Sequence, residues 1–180
     1  GKHTFLFGYE ESFGYLSGTH ARDKDAVVSA MLFAEMACYY ESKNIKLYDV
    51  LQDLYKKFGY FVEVSKSIAF GGVNGMAEMK AVMDKLRNRP INNIAGLPVL
   101  KFMDLQAGVS KNIDGSEQKI ELPKTNVLKF MLSEDEWCCV RPSGTEPKLK
   151  IYVSVKGDTQ ELAKIKNQNV LGFVEMLVNN

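Results

Sequence analysis

The chain has 180 residues, of which 46% are hydrophobic and 25% are charged. This is enough apolar material to bury a core in one or two globular domains. Lys and Arg number 23 against 22 Asp and Glu. The resulting net charge of +1 argues against a nucleic-acid-binding protein that depends on a strong overall positive field.

The cysteines and histidines indicate neither a disulfide framework nor a zinc site. There are three cysteines, Cys38, Cys138 and Cys139, and the adjacent two should point to opposite faces of a predicted strand. His3 and His20 are the only histidines, and no Cys or His cluster has metal-ligand spacing, so we expect no metal site. Three thiols and the lack of a secretory-signal pattern predict a cytoplasmic protein.

The first candidate ligand-binding stretch is the glycine-bounded loop Gly8 to Gly14. Thr4 to Phe7 predicts a short apolar strand that leads directly into it, which is how α/β folds present ligand-binding groups. Its side chains include those of Glu10 and Ser12, which suit neighbouring hydroxyls, because a carboxylate accepts hydrogen bonds from them and a serine donates or accepts. By composition alone, such a loop is most often a solvated turn.

A charged segment, Arg22 to Asp25, precedes the first predicted helix, Ala26 to Tyr40. Asp23 or Asp25 is a suitable helix cap, and by itself the segment reads equally well as a charged helix N-terminus. Glu35 is the only charge within the helix, so we expect burial on more than one side. The helix is shorter than the roughly 20 residues of a membrane span. Only one short strand precedes it, so we expect the chain to be part of a longer protein.

The second predicted helix, Leu47 to Phe58, ends at Gly59, where we place a domain boundary. Residues 1–59 are then the incomplete end of an α/β domain, consisting of a strand and two helices. Residues 60–180 form the second domain.

The second domain begins with a predicted strand, Tyr60 to Phe70, and a turn, Gly71 to Gly75. A helix follows from about Met76 to Arg89 and ends before Pro90. It carries an apolar stripe that we expect to be core. The stripe consists of Met76, Met79, Val82, Met83 and Leu86.

The remaining elements predict an antiparallel sheet of four to five strands covered by two helices on one face, an α+β domain. The polar stretch Gln106 to Pro123 predicts a mobile loop. A final helix is expected from about Thr159 to Val178. The further predicted strands are Leu97–Leu105, Val127–Leu132, Trp137–Val140 and Leu149–Val155.

The loop between the last two strands is the second candidate site, and it has the composition of a phosphate-binding loop. Arg141 offers a planar fork of donors for an oxyanion. Ser143 and Thr145 add hydroxyls, and Gly144 lets the backbone approach a ligand closely. From composition alone, an ordinary turn beside a basic residue is the more common explanation.

Three segments resemble one enzyme family, and they occur along the chain in the order expected for that family. The segment from Arg141, Arg-Pro-Ser-Gly-Thr-Glu-Pro-Lys, resembles the phosphate-binding loop in the last domain of the α-D-phosphohexomutases, the phosphoglucomutase and phosphomannomutase superfamily. Gly8 to Gly14, Gly-Tyr-Glu-Glu-Ser-Phe-Gly, resembles the sugar-binding loop of their third domain. Arg22 to Asp25 resembles the charged motif that follows that loop. The resemblance covers nearly the whole chain but only the C-terminal third of a typical member.

The resemblance implies an enzyme that moves a phosphoryl group between positions 1 and 6 of a hexose. A phosphoserine in the first domain donates the group, and a sugar 1,6-bisphosphate forms, reorients and returns the other. In this chain the implied sugar-binding residues are Glu10 and Ser12. Lys24 is implied as a catalytic residue that stabilises charge or assists proton transfer, with Arg22 supporting it. The implied phosphate-binding residues are Arg141, Ser143, Gly144, Thr145 and Lys150.

The same resemblance implies Mg²⁺ and a sugar 1,6-bisphosphate activator for the full-length enzyme. The family's catalytic-serine loop and its aspartate-rich magnesium loop do not occur in these 180 residues, so we expect the polypeptide to bind sugar phosphates without turnover. Its expected partners are sugar phosphates and the N-terminal domains of the same enzyme, not nucleic acid or membrane. A phosphopentomutase of the same superfamily and a non-catalytic phosphate-binding module remain alternatives.

Overall fold

The structure is a computed structural model that describes residues 3–10 and 14–179. The chain divides into two compact units between residues 57 and 58.

The N-terminal unit consists of a hairpin and two helices. Strands β1 (Phe7–Glu10) and β2 (Gly14–Ser17) pair antiparallel, and helices α1 (Ala26–Glu41) and α2 (Leu47–Phe58) follow. The strand predicted at Thr4 to Phe7 is therefore wrong in position. A strand needs a partner for its backbone groups, and β2 pairs with residues 7–10 instead of 4–7.

Both helices of this unit lie where the sequence predicts them. Asp25 caps α1, its carboxylate accepting hydrogen bonds from the backbone N–H groups of Val27 and Val28 at 3.0 Å. No residue of α1 is buried, and Phe33 is 61% exposed. The short hairpin thus leaves the apolar surface of α1 uncovered.

Among the described residues, no helix is long and apolar enough to cross a membrane.

The C-terminal unit is an α+β domain, which confirms the predicted class. Its elements are β3 (Tyr60–Ala69), α3 (Gly75–Asn88), β4 (Asn93–Ile94), β5 (Leu97–Pro98), β6 (Lys101–Asp104), β7 (Val109–Asn112), β8 (Glu117–Lys119), β9 (Leu128–Met131), β10 (Trp137–Pro142), β11 (Lys148–Gly157) and α4 (Gln160–Asn179). The main sheet is antiparallel throughout, with strand order β3-β11-β10-β9-β6-β7-β8, and a separate two-stranded ribbon pairs β4 with β5.

The core lies between one face of this sheet and the two helices. In β11, Leu149, Ile151 and Val153 are at most 1% exposed, because every second side chain of a strand points to the same face of the sheet. They share one cluster with Met83 of α3 and Val170 of α4. Both helices therefore pack on the same face of the sheet, as the sequence indicates.

The sheet has seven strands instead of the predicted four to five. The additional strands β7 and β8 form a hairpin inside Gln106 to Pro123, which the sequence predicts as a loop. Gly115, at φ +84, lies in its turn. The hairpin is at the sheet edge and largely polar, so hydrogen bonds between backbone groups hold it together. Its sequence has no regular alternation of apolar and polar residues that would predict strands.

Two smaller predictions also need correction. The strand expected at Leu97 to Leu105 is divided in two, because Leu97–Pro98 pairs with β4 while Lys101–Asp104 joins the main sheet. Met76 is 52% exposed and does not belong to the core, unlike Met79, Met83 and Leu86 of the same stripe. It lies in the first turn of α3, where it lines an open cavity instead of packing into the core.

The cysteines Cys38, Cys138 and Cys139, all within the described part of the chain, form no disulfide. Burial raises the pKa of the Cys138 thiol.

Candidate functional site

The segment Arg141 to Lys150 joins the central strands β10 and β11, as predicted. The backbone N–H of Ser143 donates to the carbonyl of Lys148 at 2.8 Å, which closes the turn. The carbonyl of Pro147 accepts from the N–H of Phe70 at 2.8 Å. The loop is therefore fixed to the end of β3 as well as to its own two strands.

Gly75 brings α3 against this loop. A Cβ atom there would lie 2.5 Å from the carbonyl oxygen of Phe70 and 3.1 Å from Cβ of Pro147. Only glycine lets the helix begin so close to the loop. The Gly71 to Gly75 turn, which the sequence shows only as a turn, thus positions α3 beside the candidate site.

A cavity of about 700 Å³ lies between α3 and the loop, and Arg141, Ser143 and Gly144 line it together. Gly144 has no positive φ, and a Cβ added there would meet no atom within 4 Å. Neither backbone geometry nor packing within the described chain requires glycine at this position. Both observations are compatible with the predicted role of Gly144, which is to let a ligand approach the backbone closely.

Thr145 and Lys150 are not among the residues that line this cavity. The backbone N–H of Thr145 makes a long hydrogen bond of 3.5 Å to the Ser143 hydroxyl, typical of a serine turn. Lys150 is directly opposite Arg141 in the β10–β11 register, and both residues are exposed. The structure therefore brings two cations together beside the loop.

Three further polar residues line the cavity and were not predicted. Lys80 comes from α3, and Thr125 and Asn126 come from the segment before β9. They are distant from the loop in sequence and belong to no motif. Tertiary packing alone brings them together, so the sequence contains no signal for them.

The second candidate site, in the N-terminal unit, brings Glu10, Arg22 and Lys24 around a cavity of about 250 Å³. Nζ of Lys24 lies 3.4 Å from Oε1 of Glu10 and 3.2 Å from Oδ1 of Asp23. Ser12 lies outside the described residues. The structure thus joins the two sequence motifs, Gly8 to Gly14 and Arg22 to Asp25, in one place.

The ion pairs stabilise the charged form of Lys24. The hydrogen bond and the charge of Asp23 raise its pKa, and Glu10 adds to the effect. The ammonium of a lysine is already charged at neutral pH, and the raised pKa makes loss of its proton less favourable, which favours charge stabilisation over proton transfer. Gly14 is needed for this arrangement, because a Cβ there would lie 2.1 Å from Cδ of Lys24.

Asp25 belongs to the same motif but has a structural role. Besides capping α1, its Oδ2 lies 2.8 Å from Nε2 of His20. The hydrogen bond from His20 lowers the pKa of Asp25, and the backbone donors of the cap contribute.

Both units match known domains. Residues 1–58 match the phosphoglucomutase/phosphomannomutase alpha/beta/alpha domain III, and residues 76–171 match the phosphoglucomutase/phosphomannomutase C-terminal domain. Both candidate sites lie within these matches.

Curated relatives agree with this assignment. The chain is 33% identical over 174 residues to a phosphoglucomutase of Staphylococcus saprophyticus, covering 96% of this chain and 31% of the relative. It is 37% identical over 160 residues to one of Staphylococcus haemolyticus, covering 88% and 29%. The chain therefore spans about a third of the length of these relatives. We conclude that it belongs to the phosphoglucomutase/phosphomannomutase family.

Proposed function

We propose that the chain provides the sugar-binding and phosphate-binding parts of a phosphohexomutase that interconverts sugar 1-phosphates and 6-phosphates. The observation that carries this proposal is the shared cavity of Arg141, Ser143 and Gly144, within a region that matches the C-terminal domain of the family. The names of the relatives support glucose phosphates as the substrates.

In this proposal the Arg141 loop holds the phosphoryl group that is not reacting. The guanidinium binds two phosphoryl oxygens at once, and the Ser143 hydroxyl and the Gly144 backbone N–H add donors. Thr145 and Lys150, which do not line the cavity, would reach the ligand only from the loop tip and the sheet face. We therefore expect them to contribute less than Arg141.

Lys24 and Glu10 would bind the sugar and the reacting phosphoryl group. Glu10 accepts hydrogen bonds from ring hydroxyls, with Ser12 beside it in sequence. Lys24, its charged form favoured by Asp23 and Glu10, stabilises negative charge on the reacting phosphoryl group, and Arg22 supports it. The phosphoserine donor and the bisphosphate intermediate belong to the proposal for the complete enzyme.

Magnesium is proposed only for the complete enzyme. Among residues 3–10 and 14–179, no three His, Cys, Asp or Glu side chains gather in a way that could hold a metal ion. The described residues therefore do not fit the metal, and no step here depends on it. We also propose a cytoplasmic location and the domain boundary after residue 59.

The test is an NMR titration of the ¹⁵N-labelled chain with glucose 1-phosphate, glucose 6-phosphate, ribose 5-phosphate, inorganic phosphate and glucose. We expect the hexose phosphates to shift the amide signals of Ser143 and Gly144, and glucose to leave them unchanged. Stronger binding of ribose 5-phosphate would indicate the phosphopentomutase alternative. Equal binding of inorganic phosphate and all sugar phosphates would indicate a phosphate-binding module.

A coupled assay with glucose 1-phosphate and glucose 1,6-bisphosphate measures turnover by the 180-residue polypeptide. We expect none above background, because the sequence contains no catalytic-serine loop of the family type. Turnover by the pure polypeptide would contradict this assignment of roles.

A further inference from the structure

The guanidinium of Arg87 donates hydrogen bonds to four acceptors, one of which, Asn126, lines the cavity between α3 and the Arg141 loop. Its Nε donates to Oδ2 of Asp104 at 2.9 Å, and Nη1 donates to Oδ1 of Asp84 at 3.1 Å. Its Nη2 donates to Oε1 of Gln106 at 2.9 Å and to Oδ1 of Asn126 at 2.7 Å. The side chain is only 21% exposed, so these contacts fix it in one position.

This arrangement determines which way the amide of Asn126 faces. A guanidinium only donates hydrogen bonds, so the Asn126 atom beside it must be the oxygen. The Nδ2 amino group is therefore on the other side. It makes no hydrogen bond to any residue in the described part of the chain.

Asn126 also lines the cavity that contains Arg141, Ser143 and Gly144. Because its side-chain oxygen already accepts a hydrogen bond from Arg87, Asn126 can contact a ligand in that cavity through the two N–H donors of Nδ2. A phosphoryl group has only acceptor oxygens when fully ionised, so the two are complementary.

We propose that Asn126 is a further ligand-contacting residue of this site and donates from Nδ2 to a phosphoryl oxygen of the bound sugar phosphate, with Arg87 as its positioning residue. The proposal rests on the proposed function of the Arg141 loop. Arg87 itself does not line the cavity, and its charge is balanced by Asp84 and Asp104. It therefore acts on the ligand through Asn126.

Asn126→Asp separates the ligand contact from the contact to Arg87. The substitution keeps an acceptor for Nη2 of Arg87, so the unfolding temperature should not fall. It removes both donors and places a negative charge beside the phosphoryl group. We expect the Kd for glucose 1,6-bisphosphate to rise at least about tenfold, the effect of losing one hydrogen bond to a charged group.

Gln106→Glu is the matched control. It makes the same amide-to-carboxylate change at an acceptor of the same Nη2 atom, but Gln106 does not line the cavity. We expect it to change the Kd by less than about threefold, because a charge at an exposed site outside the cavity is largely screened by solvent.

The readout is a ¹H–¹⁵N NMR titration of the 180-residue chain with glucose 1,6-bisphosphate, which measures weak binding. The Nδ2–H₂ signals of Asn126, assigned by their loss in Asn126→Asp, should shift with ligand more than the side-chain amide signals of Gln106. In Arg87→Lys the Kd should also rise. Adding Arg87→Lys to Asn126→Asp should cause no further rise, because both act through the same contact.

Arg141→Ala distinguishes failure of this inference from failure of the proposed function. If Arg141→Ala weakens binding while Asn126→Asp binds like Gln106→Glu, the inference is wrong and the proposed function stands. If neither Arg141→Ala nor Ser143→Ala weakens binding, the loop is not the phosphate site, the proposed function is wrong, and the role of Asn126 is wrong with it.

Discussion

The two units of the chain differ in how much of their apolar surface their own residues cover. In the C-terminal unit, Leu149 and Ile151 are completely buried between the sheet and its helices. In the N-terminal unit, Gly14 is the only buried residue among positions 3–10 and 14–57. Helix α1 has the more apolar sequence of that unit's two helices, yet its Val27 is 72% exposed.

The difference shows that apolar content alone does not make a core. Residues 58–180 contain a sheet face and two amphipathic helices that cover one another. Residues 1–57 contain a helix that is apolar all round and only a two-stranded hairpin beside it. The two candidate sites differ accordingly. The Arg141 loop joins strands of a closed core, whereas the Lys24 site depends on exposed ion pairs, which are individually weak.

The largest expected effect comes from truncating a leucine in each unit. Leu128→Ala removes a completely buried side chain and should lower the free energy of unfolding of the C-terminal unit by about 2–5 kcal/mol. Leu32→Ala in α1 makes the same change at a side chain that is 40% exposed. It should cost less than about 1 kcal/mol.

Chemical denaturation followed by Trp137 fluorescence, which reports on the C-terminal unit, measures the first variant. Native-state hydrogen exchange measures both. Equal effects in the two units would mean that α1 is as well covered in solution as the sheet, and would contradict the comparison.

A smaller effect is expected at the cap of α1. Asp25→Ala removes the acceptor for the N–H groups of Val27 and Val28 and should destabilise the helix by about 1 kcal/mol. Without a core around α1, the loss should appear as local fraying. Hydrogen exchange of α1 should become faster while the unfolding midpoint of the C-terminal unit is unchanged. A shift of that midpoint would mean that the two units unfold together.

The smallest effect is the pH dependence of the same cap. The folded-state pKa of Asp25 lies below its ordinary value of 3.8, with His20 as the largest cause. The stabilisation by the carboxylate is therefore complete above that value and is lost as the pH falls through the folded-state pKa. The Cα chemical shifts of α1 should lose helical character below about pH 3.8.

Asp25→Asn is the control for the pH experiment, because asparagine caps a helix about as well as aspartate but does not titrate. Its α1 shifts should not change over the same pH range through this group. A pH response identical to that of the parent chain would assign the effect to another residue.

The local patterns of the sequence predict much of this fold. Helix α2, Leu47–Phe58, has the predicted bounds because an apolar stripe with Gly59 at its end is a local signal. The strand after the Arg141 loop is predicted because apolar and polar residues alternate along it, and the strand before the loop because Trp137 to Val140 is a continuous apolar run. Hairpin β7–β8 was missed because backbone pairing at a sheet edge leaves no such pattern.

The sites could be predicted only where residues are close in sequence. Arg141, Ser143 and Gly144 fall within one motif, and the structure places them in one cavity. Asn126 was missed because it joins that cavity through packing and through a bond to Arg87, 39 residues away. Long-range contacts of this kind depend on the folded arrangement of β9, β10 and α3, which no local pattern records.

The central claim is that Arg141 is the main phosphate anchor of the chain. It alone in the loop combines permanent charge with bidentate geometry, and it lines the cavity. Removing this charge-assisted contact should cost about 1.5–3 kcal/mol, which is about 10-fold to 150-fold in affinity. Arg141→Lys keeps the charge without the fork and should recover only part of the loss.

The most direct measurement is a titration of Arg141→Ala, Arg141→Lys and Ser143→Ala with glucose 1,6-bisphosphate, followed by NMR. The expected order of affinity is parent, then Arg141→Lys, then Arg141→Ala, with Ser143→Ala weakened less than Arg141→Ala. If Arg141→Ala binds as tightly as the parent while Ser143→Ala does not, the loop binds phosphate through its hydroxyls and backbone, and the role assigned to Arg141 is wrong.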